Sequence, residues 1–422
     1  MKRVIELIFF GMLTVQVAWG QQPVSLEDCQ QWAREYHPLL QQKELYEQMG
    51  TLKLENNETN KLPQVDLNAQ ATYQTDVTEV GIALPNVAIP GQAKDQYKMY
   101  LDVKQSIWDG GLTKANAILE QARTATNLQT VEVELYQLRE QVNSLFFSSF
   151  LIQQNLALLE RKLATLTARE TQMFSAVENG MRLESDLDQI RAEQVKVKQQ
   201  QLELQLQRET VVAALAILTG KHPDDLQQLE IESQQPDLNQ LPGRPELALF
   251  ETQTSLLAAS SDLLQKKRNP KLFGFGQAGY GRPGLNMLSS DFDTYALVGL
   301  GVSWSAFDWK NTRREKEIIQ IQQDLVTTRE RQFERNIRIA LDGEYRKMEQ
   351  LKALLLSDQE LIDLQARITA SAASKLENGT ITTSDYLQDL NAELAARIAL
   401  ETHKVQLEAA KVNYQTIKGN NP

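Results

Sequence analysis

The sequence predicts an α+β membrane protein built from two tandem repeats, each with the order helix, strand, strand, long helix, long helix. Three observations lead to this fold class. Short stretches alternate between apolar and polar residues, long runs place apolar residues at heptad spacing, and one motif recurs at a constant distance. Asn179-Gly180 followed by Ser185-Asp186-Leu187 returns 199 positions later as Asn378-Gly379 followed by Ser384-Asp385-Tyr386-Leu387.

Each copy of this motif is expected to form the tip of a long helical hairpin. A heptad-patterned run stops at Asn-Gly in both places, and a second helical run starts again at Ser-Asp. Glycine tolerates the left-handed backbone that ends a helix, and Ser or Asp caps the helix that follows. The chain is therefore expected to contain two such hairpins.

The first twenty residues (1–20) have the pattern of a secretory signal peptide. Lys2-Arg3 precede a largely apolar run from Val4 to Val17, and Ala18-Trp19-Gly20 provide a cleavage site with small residues. This apolar run is short for a membrane-spanning helix. The net charge of −11 argues against nucleic-acid binding. The single cysteine, Cys29, has no partner for an internal disulfide and is expected to be a half-buried helix residue.

The first repeat is predicted to span residues 21–219. Ser25-Leu26-Glu27-Asp28 resembles a capping box that opens a helix. Pro38 interrupts or restarts this helix, which continues to about Lys61. The stretches from Val65 to Tyr73 and from Tyr97 to Ile107 then alternate in polarity, which predicts two strands joined by a Gly- and Pro-rich loop. Each has about the 9–11 residues that a tilted membrane strand needs.

Two long helices complete the repeat. From Leu128 the apolar residues recur every three or four positions as far as Val177, which is typical of a coiled coil. A helix from Gly111 to Val177 would be on the order of 100 Å long at ~1.5 Å per residue. The partner run from Leu183 to Leu218 is less regular, and its glutamines, including Gln194, are expected to face water.

The same plan returns after a polar connector at residues 220–243, so the second repeat spans 244–422. Arg244-Pro245-Glu246-Leu247 matches the segment around Pro38 at an offset of 207. Ser305-Ala306-Phe307-Asp308 matches Ser106-Ile107-Trp108-Asp109 at an offset of 199. The difference in offset lies in the loop between the two strands, which predicts a surface loop.

A glycine pattern from Gly274 to Gly279 matches a dinucleotide fingerprint, but its position inside a strand favours small residues in a barrel wall.

Four strands per chain are too few to close a barrel in a membrane, where open strand edges are not tolerated. Two chains would supply about eight strands, and a barrel of that size is filled by its own side chains. Three chains would supply about twelve, enough to leave a channel. The sequence therefore favours a homotrimeric 12-stranded β-barrel with four strands per chain, continued by the long helices as an α-helical coiled-coil barrel.

The order and spacing of these motifs resemble the TolC-like outer-membrane efflux proteins. The resemblance rests on the repeats, on Leu26-Glu27-Asp28, His37-Pro38-Leu39 and Arg244-Pro245-Glu246-Leu247, and on the paired tips, and it extends from about Ser25 to Gly419. It implies a homotrimeric channel in the cell outer membrane, with its helical domain in the periplasm, that exports small molecules or proteins. The implied partners are outer-membrane lipid, a periplasmic adaptor (a membrane fusion protein) and an inner-membrane pump, with no cofactor and no nucleic acid.

In the family that this chain resembles, acidic side chains near the second tip close the tunnel. The matching residue here is Asp385. Relatives often carry a second acidic residue one turn on, where this chain has Gln388 with Asp389 beside it. Three carboxylates on a narrow axis would repel one another and attract cations. The alternative for Asp385 is a helix N-terminal cap, and Asp186 in the first tip is expected to be a cap alone.

The resemblance also implies that the hairpin tips dock the adaptor. The candidate docking residues are Asn179, Gly180, Ser185, Asp186, Leu187, Asn378, Gly379, Ser384 and Leu387. No catalytic or metal site is expected, because the three histidines lack metal spacing and no nucleophile is paired with a base. The competing function is a non-pore periplasmic coiled-coil scaffold or adaptor, which would have no use for the alternating strands. The sequence leaves the exported substrate (drug, metal, lipid or protein) and the pump class open.

Overall fold

The structure is a computed structural model that describes residues 23–77, 92–233, 235, 243–287 and 289–419. The predicted signal peptide (1–20) and the Gly- and Pro-rich loop residues 78–91 lie outside the described residues. The chain forms two compact units. The first comprises Met1–His37, Gln137–Pro242 and Ala340–Pro422, and the second comprises Pro38–Tyr136 and Gly243–Ile339. Within the described part of the chain, no helix is both long enough and apolar enough to cross a membrane.

The second unit contains a four-stranded antiparallel sheet in the order β1-β2-β3-β4. The strands are β1 (Gln64–Tyr73), β2 (Asp95–Trp108), β3 (Lys271–Arg282) and β4 (Asp293–Ser303). β1 and β2 confirm the two strands predicted from alternating polarity. The glycine pattern from Gly274 to Gly279 lies inside β3, so it cannot open a helix as a dinucleotide site requires.

Alternation along each strand gives the sheet one apolar face and one more polar face. Leu67 lies opposite Leu101, Leu101 opposite Ala278, and Ala278 opposite Ala296. This row of apolar residues crosses all the described strands on one face. Its large side chains are exposed within the chain, with Leu67 63% exposed.

Along the chain, each pair of strands in the second unit is preceded by one helix and followed by another. They are α2 (Leu39–Glu58), the first part of α3 (Leu112–Glu178), α5 (Pro245–Lys266) and the first part of α6 (Asn311–Glu377). Asp109 accepts a hydrogen bond from the backbone N–H of Thr113 (2.6 Å) where α3 begins. Asp308 accepts one from the backbone N–H of Thr312 (3.0 Å) where α6 begins. These caps start α3 shortly after β2 ends at Trp108, and α6 after a longer segment that follows the end of β4 at Ser303.

The first unit holds α1 (Leu26–Tyr36), α4 (Glu184–Thr219) and α7 (Thr383–Lys418) with the remainder of α3 and α6. The predicted capping box is confirmed, because the N–H of Asp28 donates to Ser25 Oγ and the N–H of Ser25 donates to Asp28 Oδ2, both at 3.1 Å. Cys29 is fully buried in a core cluster with Phe146 and Leu215, and not half-buried as predicted. That burial, with the nearby charge of Asp28, raises the pKa of the Cys29 thiol to about 12.

Candidate functional site

The turns that end α3 and α6 form the two hairpin tips of the first unit. Gly180 and Gly379 adopt left-handed backbone, with φ of 70° and 72°. In the first turn, the N–H of Gly180 donates to the Val177 carbonyl and the N–H of Met181 donates to the Ala176 carbonyl, both at 2.9 Å. The second turn repeats this pattern. Both are Schellman motifs, in which a left-handed glycine satisfies the last helical carbonyl groups, and the predicted helix ends are confirmed.

The helices that follow the tips begin one residue before the predicted Ser-Asp pairs. Ser185 and Ser384 therefore lie inside the first turns of α4 and α7 and do not cap them. The N-cap of α7 is Thr382, whose N–H donates to Asp385 Oδ2 at 3.0 Å while the N–H of Asp385 donates to Thr382 Oγ1 at 3.2 Å. This is a capping box. The hydrogen bonds from the Thr382 hydroxyl and N–H hold the pKa of Asp385 below its ordinary value.

Both tips share one hydrophobic core. Ile190 and Tyr386 belong to it and are almost completely buried. Leu187 and Leu387, predicted as docking residues, belong to the same core and are only 3% and 8% exposed. Their side chains support the tips from within and offer no docking surface. The exposed members of the predicted docking set are Asn179, Gly180, Ser185, Asn378, Gly379 and Ser384.

An arginine on each side of the first tip binds the end of α6. Arg169 Nη1 donates to Glu377 Oε1 at 2.5 Å, and the Arg182 guanidinium donates to the Leu376 carbonyl. The Arg169 guanidinium also lies over the Tyr386 ring, 5.5 Å from its centroid. Two cations of the first hairpin thus hold the second hairpin at its tip.

Asp186 makes a further contact between the hairpins. Its Oδ1 accepts a hydrogen bond of 2.8 Å from Thr383 Oγ1, and its Oδ2 accepts a longer one of 3.4 Å from the N–H of Leu183. Asp186 therefore links the two tips as well as capping α4, so the predicted role as a cap alone is incomplete.

The three gate candidates lie in the first turns of α7. Asp385 and Gln388 are exposed, and Asp389 is half-buried. The backbone carbonyl of Asp389 accepts a hydrogen bond from Thr369 Oγ1 at 3.2 Å. Both cap contacts of the Asp385 carboxylate use Oδ2, so capping α7 leaves Oδ1 as a further acceptor. The cap and gate roles of Asp385 are therefore compatible.

Several solved structures have the same fold at low sequence identity. VceC, an outer membrane protein of Vibrio cholerae, matches with a TM-score of 0.69 and 14% identity over 94% of this chain and 96% of its own. CusC matches with a TM-score of 0.70 and 13% identity over 97% and 96%. CmeC, an outer membrane channel of Campylobacter jejuni, gives 0.64 and 16% over 93% and 85%. The chain has the TolC-like channel fold. CusC and CmeC are channel proteins, and no protein-family model or curated protein sequence matches the chain.

A buried ion pair joins three helices of this TolC-like fold. Lys162 Nζ of α3 lies 2.6 Å from Glu193 Oε1 of α4 and also donates to the side-chain oxygen of Asn391 in α7. The side chains of Lys162 and Glu193 are 5% and 9% exposed. Burial raises the pKa of Glu193, but the hydrogen bond and charge of Lys162 outweigh burial and hold that pKa below its ordinary value.

The sequence predicted that the α4 glutamines face water, but they are not all exposed. Gln194 is buried, and its Nε2 donates to Glu170 Oε2 at 3.0 Å. Among the described residues, no group of three or more His, Cys, Asp or Glu side chains is placed to hold a metal ion.

Three functional residues were not predicted from the sequence: Lys162, Arg169 and Arg182, which make the polar contacts in and between the hairpins. A signal for them was present in the comparison of the two halves. At the offset of 199, each basic residue corresponds to an apolar one in the second half: Leu361, Ile368 and Ile381. At these three positions the paired segments differ in charge, and the first half makes the polar contacts described above.

Proposed function

We propose that the protein is the outer-membrane exit duct of a tripartite efflux or secretion system, a homotrimer that passes small molecules or proteins from the periplasm to the exterior. The four-stranded sheet is the observation that supports this. Its apolar face is exposed, and among the described strands β1 and β4 each pair with one neighbour only. Because open strand edges are not tolerated in lipid, three chains would join β4 to β1 of the next chain and close a 12-stranded barrel.

In this proposal each chain contains two efflux-protein repeats, at 21–219 and 244–422, behind a signal peptide at 1–20 and around a connector at 220–243. The barrel lies in the outer membrane and the long helices extend into the periplasm. The exposed tip residues around Gly180 and Gly379 dock a periplasmic adaptor, which connects the duct to an inner-membrane pump. Asp385 lines the closed tip, with Gln388 and Asp389 one turn further along α7.

The duct is tested by the state and conductance of the purified protein. We expect the mature protein in the outer-membrane fraction, a detergent-solubilised trimer by native mass spectrometry, and discrete conductance steps in planar bilayers. A monomer that stays soluble without detergent and forms no conductance would overturn the proposal. It would instead favour the competing function, a periplasmic coiled-coil scaffold without a pore.

The gate is tested with a matched pair of substitutions. Asp385→Asn keeps a hydrogen-bond acceptor for the cap but removes the charge, and Asp186→Asn makes the same change at the first tip. If Asp385 lines the constriction, only its substitution should weaken block by multivalent cations added on the helical side, because the symmetric carboxylates attract them. Equal effects of both substitutions, or none, would leave Asp385 as a cap.

A further inference from the structure

The junction between strands and long helices is much more basic in the second half of the chain than in the first. Residues 265–271 and 308–317 contain eight basic and three acidic residues, whereas the matching residues 58–64 and 109–118 contain two of each. The eight basic residues are Lys266, Lys267, Arg268, Lys271, Lys310, Arg313, Arg314 and Lys316. All of them lie in the second unit. One strand end of the sheet thus carries concentrated positive charge.

The same junction holds two residues in unfavourable backbone. Trp309 and Lys310 adopt left-handed φ angles of 53° and 64°, at the positions where the first half has Gly110 and Gly111 with 72° and 86°. Glycine adopts this conformation without steric penalty, whereas a bulky side chain there is an outlier. The Trp309 ring is 89% exposed within the chain, so burial does not compensate for the strain. Backbone outliers of this kind cluster at functional sites.

Basic side chains surround a depression beside this turn. It has a volume of about 660 Å³ and is lined by Arg268, Arg313, Lys316 and Trp304. The Trp304 indole N–H donates to the Arg268 carbonyl at 3.1 Å and so fixes the ring on the wall of the depression.

Each of these cations already contacts another residue and keeps further N–H donors. Two of those partners, Glu317 and Gln265, line the depression as well. Arg313 Nε lies 3.0 Å from Glu317 Oε1, and Lys316 Nζ lies 2.5 Å from Gln265 Oε1. Arg268 Nε lies 3.8 Å from the Asp308 carboxylate, and its Nη2 is 3.4 Å from the Ala306 carbonyl. A phosphate group in the depression would accept charge-assisted hydrogen bonds from the remaining donors.

An apolar stripe leads along β4 to the depression. Val298, Leu300 and Val302 project from one face of the strand and are 88%, 74% and 70% exposed. Trp304 follows two residues after Val302. A ligand that suits this surface has an anionic head for the depression and an apolar chain for the stripe. Membrane proteins show the same order, with Trp at the boundary between lipid and water and Lys or Arg beyond it.

We propose that the depression binds the phosphate of an anionic glycerophospholipid, such as phosphatidylglycerol, whose acyl chains lie along β4. This inference rests on the proposed membrane location of the sheet. Because the depression lies at the strand ends where α6 begins, the lipid would belong to the leaflet on the helical side. Trp309 and Lys310 would lie in the headgroup layer of that leaflet.

The test uses the full chain in detergent and counts bound lipid by native mass spectrometry. We expect one phosphatidylglycerol per chain, retained in preference to zwitterionic phosphatidylcholine. The double substitution Arg313→Gln/Lys316→Gln should weaken that binding about tenfold or more, as the loss of two charge-assisted contacts implies. The matched control is Arg346→Gln. Arg346 lies on the same helix and pairs with Asp342, four residues away, at 2.8 Å, much as Arg313 pairs with Glu317. It should leave lipid binding unchanged.

Several results would overturn the inference. They are equal binding of phosphatidylcholine, unchanged binding by the double variant, stronger binding of lipopolysaccharide, and full competition by inorganic phosphate alone. If the double variant does not fold, Arg268→Gln takes its place, because Arg268 also lines the depression. It should weaken the preference for phosphatidylglycerol, and unchanged preference would count against the site. A wild-type trimer that conducts but shows no lipid preference would refute only this site, whereas a chain that never inserts would refute the proposed duct.

Discussion

Removing one partner of the buried Lys162–Glu193 pair is expected to loosen the helical hairpins strongly. At a separation of 2.6 Å and an effective dielectric constant of about 20, the attraction is about 6 kcal/mol. Taking both ions out of water costs several kcal/mol each, so the intact pair adds little net stability. Lys162→Met, however, leaves the Glu193 carboxylate buried with only the largely exposed Lys196 ammonium beside it, 3.6 Å from Oε2. This costs about 3 kcal/mol, the lower end of the range for a broken buried pair. Replacing both, as Lys162→Met/Glu193→Leu, should cost only about 1 kcal/mol, because Asn391 loses a donor.

Hydrogen exchange measured by mass spectrometry reports this loss locally. Amides of residues 187–197 in α4 and 386–396 in α7 should exchange about a hundredfold faster in either single variant, since each 1.4 kcal/mol of opening free energy is about tenfold. The control is Lys352→Met. Lys352 contacts Glu349 at a similar 2.8 Å, but the two side chains are 58% and 53% exposed. Its loss should change exchange little, because exposed pairs contribute about 0–1 kcal/mol.

Two results would refute this reasoning. Exchange in the single variants within about twofold of wild type would show that the pair is solvated and not buried. A double variant as unstable as the two single variants combined would show that the residues are not coupled.

Three further predictions concern single groups. Because the pKa of Glu193 in the folded chain lies below its ordinary value of 4.5, its stabilising contribution should be complete above that pH and be lost as pH falls through the folded value. The measurement is the opening free energy from exchange rates corrected for the intrinsic, base-catalysed rate of each amide, and an opening free energy that falls as the pH is raised would contradict this. Gly180→Ala should destabilise its tip by about 1 kcal/mol through left-handed strain. Its control is Gly343→Ala, in equally open surroundings inside α6, which should stabilise the helix by up to about 1 kcal/mol. Thermal midpoints that shift in the same direction in both variants would argue against left-handed strain at Gly180. Cys29, buried with a pKa of about 12, should react with maleimide far more slowly in the native than in the denatured protein, and comparable rates would show that its helix opens readily.

Local patterns predicted the elements of this fold well because each depends on neighbouring residues. The alternation from Val65 to Tyr73 placed β1, and the Asn-Gly pairs placed the ends of α3 and α6. The exact helix starts were less predictable. Thr382 and not Ser384 caps α7, because several polar residues near a turn compete for the same backbone groups.

The candidate site was predictable only in outline. The tips and Asp385 could be located by repetition, but the sequence gives no indication that Leu187 and Leu387 pack in a shared core. Their burial depends on the partner hairpin, which lies far away along the chain. The same holds for the contact between Arg169 and Glu377, which are separated by 208 positions.

The sequence by itself determined the elements, their order and the repeated turns, because periodicity and backbone conformation act over a few residues. Only the tertiary structure decided which polar side chains meet. Lys162 and Asn391 are 229 positions apart, and a charge is buried or solvated according to what packs against it. The desolvation of such a charge, and hence its effect on stability, is a property of the assembled helices.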